Sequence, residues 1–220
     1  MKGNQTFHDA LVSFAERRVI KMKQTEQLVS GETMILASGS PRRKELLTQA
    51  GFTYEVIVSD VEEKITATIP SQVVMELAEQ KASDVASKIE EGVIIGADTV
   101  VASGETILGK PTDDEDAFSM LKALSGSIHS VFTGVCILSK KEGMIVDKRV
   151  FYEETKVEMY PLEDQEIKEY IKSKEPQDKA GAYAIQGKAA IFIKGIQGDY
   201  YNVVGLPIGR LVKELKQLQK

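Results

Sequence analysis

Cysteine is nearly missing from this 220-residue chain, and its one thiol, Cys136, has no partner for an internal disulfide. The surrounding TGVCILS reads as a core strand, so a buried thiol in a reducing cytoplasm is the expected setting, not a catalytic nucleophile. Histidine is almost as scarce. His8 and His129 stand far apart in the sequence, which argues against a histidine-rich metal site or a Cys/His protease arrangement and leaves both as ordinary surface or capping residues. No run approaches the ~20 apolar residues of a membrane span. The N-terminus lacks the apolar core of a signal peptide. No membrane partner is therefore expected. Positive charge is not in excess either: 28 Lys and Arg face 33 Asp and Glu, a net charge of −5, so nucleic acid is not an expected partner and any polyanion must be gripped locally. GxxxxGK[ST] and the kinase loop set are both lacking, which disfavours the P-loop and kinase routes. There is no internal repeat or low-complexity tract.

What the chain does have is length enough for one sizeable hydrophobic core. Residues 1–33 differ in character from the rest. Phe7, Ala10, Leu11, Phe14 and Val19 make a weak helical stripe that trails into polar residues and Gly31. They read as an appendage, either one amphipathic helix or residues upstream of a true start at Met22 or Met34. From Met34 to residue 220 the pattern is regular. MILAS is a short apolar strand, and SPRRKELLTQAG a helix closed by Gly51. TYEVIVSD has strand character; SQVVMELAEQKASDVASKIE carries apolar residues at helical spacing. GVIIGADTVVA is an almost continuous β-branched run, as in a strand covered on both faces. TDDEDAFSMLKALSG is a helix with an acidic first turn. SVFTGVCILSKKEGMIVDKRVFYEETKVEMYPL predicts an antiparallel hairpin or meander. EDQEIKEYIKS and IGRLVKELKQL are helices, and the glycine-punctuated AIQGKAAIFIKGIQGDYYNVVGLP returns to strands. The order predicts an α/β fold, a mixed central sheet flanked by helices, with two lobes dividing after about residue 126.

Several stretches carry chemistry. In ASGSPRRKELL, Ser40 suits the N-cap and Pro41 the first helical position, where a missing N–H costs nothing. A helix N-terminus offers free N–H groups and partial positive charge to phosphate oxygens. Arg42 and Arg43 in that first turn oppose the macrodipole by ~0.3–1 kcal/mol each, a local cost that points to an anion between them. Asp98, inside the apolar VIIGADTVV, is expensive to bury unless paired or bound to metal, and belongs at the carboxyl end of its strand, the ligand side of an open α/β sheet. Glu62 and Glu63 in SDVEEK follow a strand-like run and offer a second carboxylate. Lys81 interrupts the inward stripe of its helix, Lys110 sits in a Gly-Lys-Pro turn, and Gln186 lies in a glycine-punctuated loop where it can bond a base edge. Together these residues describe a small phosphorylated ligand bound with a divalent ion. The hard oxygen donors suit Mg²⁺ or Mn²⁺, and nothing supplies the soft ligands zinc prefers.

LASGSPRRKELL, GADTVV, GKP, DKAGAYAIQG and GDYYNVVGLP, in this order and spacing, closely resemble the Maf family, the septum-formation-related nucleoside triphosphate pyrophosphatases. The likeness spans residues 34–218. It implies a two-lobed α/β fold with a deep cleft and metal-dependent hydrolysis of a nucleoside triphosphate to its monophosphate and pyrophosphate. It places the proton acceptor on Asp98, the acidic loop residue on Glu62, the second motif arginine on Arg43 and the two lysines on Lys81 and Lys110. Glu62 with Asp98 would hold the metal or orient the water, with Asp98 as base, metal ligand or both, and Ser40 is a candidate substrate contact. Arg42, Thr99 and Gln186 match the branch that prefers dTTP and UTP. The family is often dimeric, though no stripe here marks an interface, and its name raises a rival reading as a nucleotide-binding regulator of septum formation without turnover. Nothing in the resemblance speaks for residues 1–33.

Overall fold

The computed structural model describes residues 31–104 and 106–218; the expected N-terminal helix lies outside them. Among the described residues seven strands form one mixed sheet, in the order β2-β1-β3-β5-β6-β7 with β4 beside β3. Strand β1 (Met34–Leu36) runs into helix α1 (Pro41–Gln49), and the short β2 (Glu55–Val56) follows. Helix α2 (Pro70–Ala86) precedes β3 (Gly92–Ser103) and β4 (Thr106–Leu108); α3 (Asp114–Leu124) precedes the long hairpin of β5 (Ile128–Lys141) and β6 (Met144–Met159). Helix α4 (Asp164–Lys172), three short 3-10 turns, edge strand β7 (Ile193–Gln197), the five-residue α5 (Tyr200–Val204) and α6 (Ile208–Leu215) complete the chain. β1 pairs in parallel with β2 and β3; every later pairing is antiparallel. The sheet is hydrogen-bonded without a break across residue 126, so both halves of the chain share it. No helix among the described residues is long and apolar enough to cross a membrane.

Alternation along β3 divides the core. Val93, Ile95, Ala97 and Val101 face the larger cluster, with Leu47, Leu121 and Leu206. Ile94 and Val100 face α2. A period of two sends neighbours to opposite faces, so Asp98 belongs to the α2 face and Thr99 to the other. α2 sits unusually low on its face because the strands beneath it carry glycine. A Cβ at Gly96 would stand 2.3 Å from the Ala78 carbonyl oxygen, and one at Gly134 would stand 2.2 Å from that of Val74.

The segment read as glycine-separated strands yields only one, β7. Around it the backbone closes into 3-10 turns at Glu175–Asp178, Ala180–Ala182 and Lys188–Phe192, and into α5. The cause is local. Asp199 caps α5 by accepting from the Tyr201 N–H, and Gly205, at φ +120°, ends it. His129 also departs from expectation. It continues the inward alternation of β5 (Val131, Thr133, Val135), is 2% exposed, and its Nε2 lies 2.8 Å from the Tyr183 hydroxyl. Burial pushes its pKa down to about 4. Cys136 is buried as expected, its thiol pushed up to about 12 by burial.

Candidate active site

A cleft of about 750 Å³ opens at the carboxyl end of β1 and beside the middle of β3. Its walls come from both halves of the chain: the β1–α1 turn, the 58–67 loop, α2 and β3 on one side, residues 178–186 and 203–205 on the other. The helix start expected at SPRR is present. Ser40 occupies the N-cap and Pro41 the first turn of α1, but the Ser40 hydroxyl makes no capping bond; its backbone N–H instead donates to the Ser38 hydroxyl at 3.3 Å. The N-terminal turn therefore keeps free N–H groups on the cleft side.

The two arginines divide their work. Arg42, 24% exposed, reaches Asp178 at 3.3 Å. Arg43 is locked: Nε donates to the Gly205 carbonyl at 2.8 Å, and its two terminal nitrogens to the Ser38 hydroxyl at 3.0 Å and the Thr99 hydroxyl at 3.1 Å. A guanidinium has five N–H groups, so this one keeps two for a ligand. Desolvation pushes the Arg43 pKa below its ordinary value and the Asp98 charge pulls it back up; an arginine stays charged regardless. Burial pushes the Asp178 carboxyl up, but the Lys179 ammonium, aided by Arg42, holds it below the usual range.

On the other face of β3, Lys81 Nζ lies 2.5 Å from Asp98 Oδ1 and 2.9 Å from Glu63 Oε1. The Lys81 and Asp98 side chains are 17% and 16% exposed, so neither charge is tolerable there without the other. Asp98 Oδ2 has no partner among the described residues. Lys81 extends the ridge of Val73 and Leu77 at four-residue spacing, which is why it interrupts an inward stripe: the close seat of α2 on Gly96 and Gly134 lowers it onto Asp98.

The acidic loop needs a correction. Glu62 is exposed and does not line the cleft, whereas Glu63 does and holds Lys81. Neighbours in an extended loop project to opposite sides, and SDVEEK alone does not say which glutamate faces in. The register is set by a row on α2 spaced four apart. Glu76 accepts from the Thr66 and Ala67 N–H groups, Gln80 accepts from the Lys64 N–H at 3.0 Å and donates to its carbonyl at 2.6 Å, and Asp84 accepts from the Asp60 N–H at 3.2 Å. The Thr66 bonds hold the Glu76 carboxyl below its ordinary value. Reading α2 only for its apolar stripe misses this outer row.

Lys110 and Gln186 both line the cleft and are exposed; Lys110 makes no ion pair among the described residues. The structure thus brings Ser40, Arg42, Arg43, Lys81, Asp98, Thr99, Lys110 and Gln186 to one cleft and leaves Glu62 outside it. It selects Glu63 over Glu62 and adds Ser38 and Lys179, which sequence reasoning passed over. Lys179 pairs with Asp178 and donates to the Glu175 carbonyl at 3.3 Å; the DKAG stretch was a signal for it. Val73, Leu77, Val100 and Ile107 give the cleft an apolar wall.

Among the described residues no group of three or more His, Cys, Asp and Glu forms a ready metal cage. Asp98 and Glu63 converge on one lysine, each with an oxygen uncommitted. That donor set fits a hard dication whose remaining ligands are phosphate and water oxygens.

A family model described as Maf-like protein matches residues 33–218. A dTTP/UTP pyrophosphatase of Bacillus cereus (strain G9842) is 55% identical over 185 residues, covering 84% of this chain and 94% of its own. One of Bacillus cytotoxicus is 56% identical over 184 residues, covering 83% and 94%. Among solved structures, the Staphylococcus aureus Ham1 protein covers 58% of this chain and 72% of its own at 16% identity, with a TM-score of 0.39, a likeness too slight to argue from.

Proposed function

We infer function from one premise: the chain belongs to the Maf-like protein family. On that premise we propose a nucleoside triphosphate pyrophosphatase that hydrolyses dTTP and UTP to the monophosphate and pyrophosphate. The observation that carries this reading is the convergence of Arg42, Arg43, Lys81, Lys110 and Lys179 with Asp98 and Glu63 around a single cleft. That cleft joins a helix N-terminus to cations from four separate segments, an arrangement suited to a polyphosphate chain. The relatives' names supply the substrate class.

In the reaction, water attacks the α-phosphorus, the bond from that phosphorus to the α,β-bridging oxygen breaks, and pyrophosphate leaves with the electron pair. Arg42, Arg43, Lys110 and Lys179 hold the triphosphate and oppose the charge that grows on the leaving group; fixed cations of this kind supply most of the acceleration in phosphoryl transfer. Asp98 Oδ2 orients the water and accepts its proton, while Lys81 fixes the carboxylate through Oδ1. Pyrophosphatases of this kind generally use a divalent metal; Asp98 and Glu63 would hold Mg²⁺ or Mn²⁺, which when bound neutralises phosphate charge. A carboxylate on a dication is a poor base, so the two roles of Asp98 trade against each other, and rate–pH profiles at limiting and saturating Mg²⁺ separate them. Gln186, at the mouth, bonds the pyrimidine edge, where an unpaired polar group penalises the wrong base.

Pyrophosphate release measured across dTTP, UTP, CTP and GTP, with and without Mg²⁺, tests the proposal. Metal-dependent release favouring dTTP and UTP is expected. Purine preference would overturn the base assignment, and nucleotide bound for hours without product would favour a sensor over an enzyme.

A further inference from the structure

We propose that Thr133, on the strand next to Thr99, is a positioning residue that aims Arg43 through Thr99. This rests on the pyrophosphatase reading for its consequence and on hydrogen-bond inventory for its geometry.

Four groups stand in line from the cleft into the core. Arg43 lies 3.1 Å from the Thr99 hydroxyl, that hydroxyl 2.9 Å from the Thr133 hydroxyl, and the latter 2.9 Å from the Asn202 carbonyl oxygen. The direction of every bond follows by elimination. A carbonyl only accepts, so Thr133 spends its one proton on Asn202. Thr133 can then only accept from Thr99, which spends its own proton there. Arg43 has only donors, so it donates to Thr99. The Thr99 hydroxyl is thus left with no proton for a nucleobase; it meets a ligand only as an acceptor.

The inner end of the line is rigid. Thr133 and Asn202 are both fully buried. The Asn202 amide donates to the Val131 carbonyl at 2.9 Å and to the Thr155 hydroxyl at 3.0 Å, and Thr155 donates to the Asp199 carbonyl at 2.9 Å. Helix α5 is therefore tied to β5 and β6, and α5 leads into Gly205, whose carbonyl receives Arg43 Nε. Bonds in such a chain polarise one another in a low-dielectric interior. Arg43 is consequently fixed before any ligand arrives, which is the condition for fixed charges to favour the transition state over the ground state. Without the Thr133 proton acceptor the Thr99 hydroxyl rotates freely, and one of the three acceptors that anchor the guanidinium is no longer held in orientation.

Thr133→Val keeps shape and removes the acceptor, while Thr133→Ser keeps the hydroxyl. The Asn202 carbonyl retains the Gly205 N–H at 3.0 Å in either variant, so no buried acceptor is orphaned. With dTTP, Thr133→Val is expected to lower kcat about tenfold, as for loss of one well-placed buried hydrogen bond, with KM changing less than about threefold because the arginine's charge remains. Thr133→Ser should recover most of that loss. The Arg43 Nε–H resonance in ¹⁵N–¹H NMR of the full chain should shift or broaden in Thr133→Val alone. Wild-type kinetics together with an unmoved Arg43 signal in Thr133→Val would overturn the inference, as would a Thr133→Ser variant equally impaired, which assigns the effect to packing. Should the wild-type chain release no pyrophosphate from any nucleotide, the pyrophosphatase reading falls, and the Arg43 signal decides the positioning claim on its own.

Discussion

The two faces of β3 hold their functional groups by different physics. On the α2 face, Asp98 and Lys81 are opposite charges, non-directional and mutually dependent, and their separation is set by how closely a helix can approach two glycines. On the other face, Thr99 and Arg43 are joined by directional bonds that run through Thr133 into α5, and no carboxylate takes part. On the proposed reading, the charged face would keep a water and a dication in reach. The neutral face keeps a cation in aim. One interior strand can serve both tasks within two consecutive residues because alternation separates them by the thickness of the sheet.

The sharpest way to break this contrast is Asp98→Asn. Turnover should fall by about 10³-fold, the middle of the range for a positioned proton acceptor, with a lowered thermal transition because Lys81 then keeps only the half-exposed Glu63. Retained pyrophosphate release would remove Asp98 from the chemistry. On the neutral face the largest effect is on stability. His129 is held neutral, its pKa lowered from 6.5 to about 4, so between those values the unfolded chain binds more protons and stability falls as pH falls. The full loss is on the order of 3 kcal/mol by linkage, read as a Tm that drops from pH 6.5 to 4; His129→Gln should flatten that dependence, and an equally steep curve in the variant would assign it elsewhere.

Gly134→Ala sharpens the comparison from the charged side. The new methyl must lift α2 off β5, which costs roughly 1–3 kcal/mol by overpacking, and should reduce kcat while leaving the Arg43 NMR signal in place. A variant with unchanged Tm and activity would show that the seat of α2 does not set the Lys81–Asp98 contact. The smallest effect is expected in the loop. Glu63→Gln should lower kcat roughly three- to tenfold, since a half-exposed ion pair is worth near 1 kcal/mol, and Glu62→Gln should do much less. The reverse order in a matched assay would return the acidic role to Glu62.

Much of this was legible beforehand because it is local. The SPRR turn announces a proline-started helix with misplaced cations, and a carboxylate inside VIIGADTVV has few inexpensive places to go. The outer row of α2 was not legible, because Glu76, Gln80 and Asp84 look like any solvated helix face until a loop lies along them. Nor was His129, whose neighbours gave no hint of Tyr183 arriving from 54 residues away. The GDYYNVVG stretch misled, since aromatic and β-branched residues favour strands in isolation whereas Asp199 and Gly205 cap a helical turn there.

The amino-acid sequence by itself determined which charges this protein owns, the helix that presents two of them and the strand that carries the awkward aspartate, because spacing, capping and burial cost act over a few residues. Only the tertiary structure decided which glutamate faces inward, which arginine is locked and where the threonine proton goes. Those choices depend on contacts between segments as far as 162 residues apart, whose geometry no local pattern contains.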